Sequence, residues 1–273
     1  MTPDEAAASR AVLIGVPSYQ HLGALEGVRH NVPALYELLT AEDIGGLSEP
    51  HCIAVPADST PGAVLDAIQD AAAEAQHLLI VYYAGHGHFA SGGRNLLLAT
   101  HASHPQRSYH SVPYEEIRSL VANSRAKYRI VIIDCCFSGL ALHMDGQVEE
   151  AGVPSFEIEG ACVLTSAAAT QRSLCLPEGS VFTLELASLL QGGLEGALPD
   201  GRRGEDQPHL TMADVFDALR SRLNGRTVEG HAIPLPRMST QDNGHRIPLA
   251  LNRANKPPVV NPHQRQISQS GER

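Results

Sequence analysis

Tryptophan is absent from this 273-residue chain, and lysine occurs only at Lys127 and Lys256. No apolar run approaches the ~20 residues that a membrane-spanning helix needs, and Met1-Thr2-Pro3-Asp4-Glu5 is not a charged-then-apolar leader. A cytoplasmic protein without membrane contact is therefore expected. The basic residues, nearly all arginine, form no cluster and the net charge is −10, which argues against nucleic acid as a partner. The five cysteines (Cys52, Cys135, Cys136, Cys162 and Cys175) are odd in number, and two are adjacent, so they make no disulfide framework. Cys52 and Cys162 lie inside apolar runs and read as buried small hydrophobes. Neither a Cys-x-x-Cys pair nor a His-x-x-x-His cluster is present, so no metal or other cofactor is expected. Gly15-Val16-Pro17-Ser18-Tyr19 offers no glycine-rich phosphate loop, and no Arg stands six residues after Cys136 as a Cys-x5-Arg phosphatase would require. There are no internal repeats.

What the chain does have is length for one full core and an alternation of apolar runs with helical patterns. That alternation predicts an α/β fold of βαβ units around a mainly parallel central sheet. Strands are expected over 11–16, 53–55, 78–87, 95–98, 161–166 and 247–251, with another on the apolar run beginning at Ile130. Helices are expected over 28–39, 61–75, 113–123, 182–190 and 212–223, the second capped by Thr60 and opened by Pro61. Gly92-Gly93-Arg94 reads as a hairpin tip. Residues 1–9 form an N-terminal extension to a domain over 10–252, and the Pro-, Gln- and Asn-rich segment 253–273 reads as a disordered tail.

Two of the apolar runs end in chemically useful residues. One closes on Gly85-His86-Gly87, the other on Asp134-Cys135-Cys136-Phe137-Ser138-Gly139. Short apolar runs closed by turns read as strands buried on both faces, and open parallel sheets bind ligands beyond the carboxyl ends of their strands. A base and a thiol would meet there, as in a Cys-His hydrolase. A thiolate attacks a carbonyl and splits one hard step into two, while an imidazole moves the protons. Strand alternation sends Cys135 and Cys136 to opposite faces, so only one can serve. A helix starting just after the strand would lower that thiol's pKa. His88 competes with His86, although Gly87 permits close approach of the backbone to a substrate. Asp134 is either a binding residue or a cap for the next helix.

The two motifs together resemble the caspase superfamily. His86 precedes Cys136 by 50 residues, as in caspases. Tyr83-Ala84-Gly85-His86-Gly87 resembles the His-Gly strand end of caspase-like peptidases. Asp134-Cys135-Cys136-Phe137-Ser138-Gly139 is similar to the metacaspase box Asp-x-Cys-x-Ser-Gly, and less so to the Gln-Ala-Cys-x-Gly of animal caspases. The resemblance covers about 10–252, with a large-subunit-like part to about 144 and a small-subunit-like part from about 159. It implies a caspase-hemoglobinase-like three-layer fold with helices on both faces of the sheet. It selects Cys136 as nucleophile and His86 as its partner, with the backbone N–H groups of Gly87 and Cys136 as the oxyanion hole. It places Asp134 in the S1 pocket, where it would pair with Arg or Lys. Asn31, in Gly27-Val28-Arg29-His30-Asn31, stands where metacaspases carry a second S1 acid. Glu115, Glu116 and Asp145 do not reproduce the metacaspase calcium-binding aspartates.

The resemblance is strongest to stand-alone caspase domains of high-GC bacteria, consistent with the Arg-for-Lys usage and Ala-rich helices. An effector in a bacterial signalling, conflict or cell-death system follows, acting on protein or peptide substrates and taking its signal from a separate activator or adaptor protein. Residues 141–159 contain no Lys or Arg, so an Arg/Lys-specific enzyme could not cut itself there; Arg202-Arg203 is the expected self-cut site. The alternative is a catalytically silent caspase-fold recruitment or regulatory module, against which the intact His86, Cys136 and Asp134 speak.

Overall fold

Five of the apolar runs become neighbouring parallel strands of one sheet in the computed structural model, which describes residues 1–90, 95–137, 156–167, 174–198 and 200–255, apart from the side chains at 136 and 137. In chain order the first half comprises α1 (Pro3–Ala7), β1 (Arg10–Gly15), α2 (Asn31–Thr40), β2 (Cys52–Val55), α3 (Pro61–Glu74), β3 (Leu78–Phe89), β4 (Leu96–Ala99), β5 (Ser111–Pro113), α4 (Tyr114–Ala122) and β6 (Tyr128–Phe137). The second half comprises β7 (Cys162–Thr165), β8 (Cys175–Leu176), β9 (Gly179–Ser180), α5 (Val181–Gly192), β10 (His209–Thr211), α6 (Met212–Leu223), β11 (Thr227–Val228), β12 (His231–Ala232), β13 (Arg237–Thr240) and β14 (Pro248–Leu251). The main sheet runs β13-β7-β6-β3-β1-β2, with all but β13 parallel.

The strands are continuously apolar because both of their faces are covered. Leu13, Ile80, Tyr82, Ala84, Ile132 and Leu164 pack against α2, α5 and α6. Ile14, Val81, Tyr83, Ile133, Cys135 and Val163 alternate with them and pack against α3 and α4. The result is the expected three-layer α/β fold. Thr60 caps α3 by accepting from the Ala63 amide, and Ser180 caps α5 from its position before Val181. Among the described residues no helix is long and apolar enough to cross a membrane.

Several elements depart from expectation. The strand carrying His86 does not stop there but continues to Phe89 and folds back on β4. The hairpin tip at 92–94 lies outside the described residues, as do the helix expected after Cys136, most of the inter-subunit stretch and the tail from 256. β6 itself continues through Cys136 to Phe137. The last expected strand exists as β14, but it pairs with β10 in a separate two-stranded ladder. The sheet edge is taken instead by β13, whose polar Arg237, Ser239 and Thr240 make no apolar run. Residues 1–9 are pinned, since the Ala8 carbonyl accepts from the amides of Gln76 and His77.

Candidate active site

The register between β3 and β6 brings the two motifs together. His86 pairs with Cys136, Ala84 with Asp134 and Gly85 with Cys135. Neighbouring strands lie ~4.8 Å apart, so the main chains at 86 and 136 are in direct contact at the carboxyl end of the sheet. Cys135 is fully buried in the layer of α3 and α4. Asp134 bonds to α5 on the other face. The buried thiol of Cys135 also explains a glycine: a Cβ at Gly87 would come within 2.8 Å of its Sγ.

His86 is half-buried, with its Nε2 2.8 Å from the carbonyl oxygen of Gly23. A carbonyl only accepts, so Nε2 carries the proton and Nδ1 is the basic nitrogen of the neutral ring. The His86 amide donates to the hydroxyl oxygen of Tyr19 at 2.8 Å, and the two rings lie 4.8 Å apart at 48°. Tyr83 donates its hydroxyl toward the His86 carbonyl at 2.7 Å. Tyr19 and Gly23 both sit on the segment after β1, which is tied down by Gln20 N–H to the His101 carbonyl and Leu25 N–H to the Pro17 carbonyl. His88, two residues beyond His86, is also half-buried; burial and then His86 push its imidazole below the ordinary value.

Asp134 and Asn31, expected to share a pocket, are brought together through Ser180. The Asp134 carboxylate is buried and accepts from the hydroxyls of Ser180 and Thr183, the latter at 2.7 Å. Asn31 donates to the Ser180 hydroxyl (2.9 Å) and the Tyr82 hydroxyl (3.0 Å), and accepts from the Ser180 amide (3.1 Å). A buried carboxylate needs such donors. Cys175 lies close by, its thiol pKa raised by burial and then by Asp134. The β8–β9 hairpin presses so closely on Gly27 that a Cβ there would meet the Leu176 carbonyl at 1.8 Å.

Sequence patterns alone missed Tyr19, Gly23, Tyr83, Ser180 and Thr183 as parts of this site. Arg202 and Arg203, the expected self-cut site, are exposed and ion-paired. Arg202 bonds to Asp200, Gln207 and the buried Asp214, and Arg203 to Glu205. Glu115 pairs with Arg118, and Asp145 lies outside the described residues. Among the described residues no group of three or more His, Cys, Asp or Glu side chains could hold a metal ion.

Caspase-1 from Spodoptera frugiperda shares this fold with a TM-score of 0.59 at 13% identity, over 86% of this chain and 87% of that one. Protein GSU0716 from Geobacter sulfurreducens does so with a TM-score of 0.61 at 13% identity, over 88% of this chain and 96% of that one. Identity this low shows likeness of fold. No curated protein sequence matches the chain. The family model of the caspase domain, by contrast, matches residues 8–247, from just before β1 to just before β14. The chain therefore belongs to the caspase-domain family, a family of cysteine-type peptidases.

Proposed function

We propose that the chain is a cysteine endopeptidase with Cys136 as nucleophile and His86 as general base and acid. The observation that carries this reading is the register placing His86 beside Cys136, with Nε2 of His86 on a carbonyl that leaves Nδ1 as the basic nitrogen. In this mechanism His86 takes the thiol proton, and the thiolate attacks the scissile carbonyl. The backbone N–H groups of Gly87 and Cys136 receive the oxyanion. The protonated imidazole, steadied by the Gly23 carbonyl, then protonates the leaving amine. Water activated by the same ring hydrolyses the thioester and returns the thiol.

Cleavage after Arg or Lys is supported by the Asp134 carboxylate, with Asn31 beside it. A guanidinium suits a carboxylate better than a point cation does, and Asn31 adds a carbonyl rather than a second charge. The proposed setting is a bacterial cytoplasmic effector, acting on protein or peptide substrates and awaiting a separate activator protein.

The test is a panel of fluorogenic peptides with Arg, Lys or Asp at P1, read for wild type, Cys136→Ala, Cys135→Ala and Asp134→Asn. Cleavage after Arg or Lys should fall by about 10⁴-fold or more in Cys136→Ala and persist in Cys135→Ala. Asp134→Asn should lose the preference for basic P1 residues. Cleavage after Asp would overturn the specificity. No cleavage, with or without cell extract as a source of activator, would favour the silent recruitment module.

A further inference from the structure

The strand that carries His86 changes partners at that residue. On one side β3 is paired with β1 as far as Ala84, opposite Gly15, and pairing resumes with β4 only at Gly87, opposite Leu98. Between them the main chain of Gly85 and His86 has no strand neighbour on that side among the described residues, and buried amide and carbonyl groups left so are costly. Two tyrosine hydroxyls fill the gap. Tyr19 accepts from the His86 amide at 2.8 Å, and Tyr83 donates toward the carbonyls of His86 (2.7 Å) and Ala99 (2.8 Å). Both hydroxyls lie where a side chain at Gly85 would begin, each 2.6 Å from the position of its Cβ.

We propose that Tyr19 is the positioning residue for His86, a role that rests on His86 being the general base. Tyr83 is fully buried and belongs to the core, whereas Tyr19 is on the loop that also supplies Gly23. That loop therefore grips His86 at three points: its amide, the face of its ring and Nε2. An imidazole rotates about χ2 between two orientations, and only one of them keeps Nε2 on the Gly23 carbonyl. The Tyr19 ring against the imidazole resists departure from that orientation, and its hydroxyl on the amide fixes the main chain from which the imidazole projects. They hold Nε2 on Gly23, so the lone pair of Nδ1 keeps one direction. Positioning of a general base to within about 0.5 Å decides how productively it works. Gly85 is the third part of the device, because any Cβ there displaces both hydroxyls.

The experiment compares wild type with Tyr19→Phe, Tyr19→Leu and Gly85→Ala, reading kcat and KM on the Arg peptide and the tautomer of His86 by ¹⁵N imidazole shifts, assigned with His86→Gln. Tyr19→Phe, which keeps the ring and so the fold, should lower kcat about three- to ten-fold, the worth of one hydrogen bond. KM should stay within about two-fold, since the contact acts on the base and not on substrate binding. Tyr19→Leu and Gly85→Ala should go further and turn a single Nε2–H tautomer into a mixture. Unchanged kcat in Tyr19→Phe, together with a single His86 tautomer in folded Tyr19→Leu, would overturn the proposal. A wild type that cleaves nothing but loses its single tautomer on Tyr19→Leu would uphold the positioning while removing the peptidase reading.

Discussion

Glycine at 87 and cysteine at 135 are one structural decision made by two residues. The strands bring Gly87 over Cys135, and the Sγ sits 2.8 Å from where a Cβ would be. Gly87→Ala should therefore destabilise through overpacking, by about 1–3 kcal/mol. Trimming the partner should relieve it: in a Cys135→Ala background the same change should cost markedly less. The measurement is a double-mutant cycle of urea midpoints, and additive costs would show that the two do not compete for space. At this scale His86, Cys136 and Asp134 were legible because each follows an apolar run. Tyr19, Gly23, Ser180 and Thr183 were not, because each meets the site through the tertiary fold rather than through neighbours in the chain.

Helix caps show the same division at the level of elements. Thr60 and Ser180 each accept from an amide three residues on, and both α3 and α5 were expected. Among the described residues the Thr60 hydroxyl serves only this cap, so Thr60→Ala should cost about 1 kcal/mol. Ser180 also donates to the buried Asp134 and accepts from Asn31. Losing it strands buried polar atoms, and Ser180→Ala should cost a further 1–3 kcal/mol or so. Urea midpoints of the two variants decide this; equal losses would mean that the Asp134 network adds nothing beyond the cap. Strands were the harder elements to read. β13 won the sheet edge with half-exposed polar residues, and β14, the more apolar run, went to a ladder with β10. An edge strand has one covered side and little need of an apolar signature, so periodicity does not reveal it.

For the molecule as a whole, two buried thiols link stability to alkaline pH. Burial pushes both Cys52 and Cys162 up to about 12. In the unfolded chain they ionise near ~8.5. A thiol whose pKa is raised by folding contributes stability that is present in full below the unfolded value and is lost as pH rises toward the folded one. The urea midpoint should accordingly fall between about pH 9 and pH 12, and Cys162→Val should soften that fall. An identical alkaline slope in the variant would show that this thiol contributes nothing to it. The same burial keeps both cysteines out of the chemistry, in line with their place inside apolar runs.

The sequence by itself determined the layered α/β architecture, the pairing of a histidine strand with a cysteine strand, and the identity of the residues at their ends. Those properties depend on local periodicity and on which residues interrupt it, and both are written along the chain. Only the tertiary structure decided what surrounds them: the loop after β1 that turns Tyr19 and Gly23 onto His86, the hairpin and α5 cap that close over Asp134, and the fate of the last strands. These contacts join residues as far apart as Asn31 and Ser180. Their partners are chosen by packing and by the need to satisfy buried polar groups, which no local pattern records.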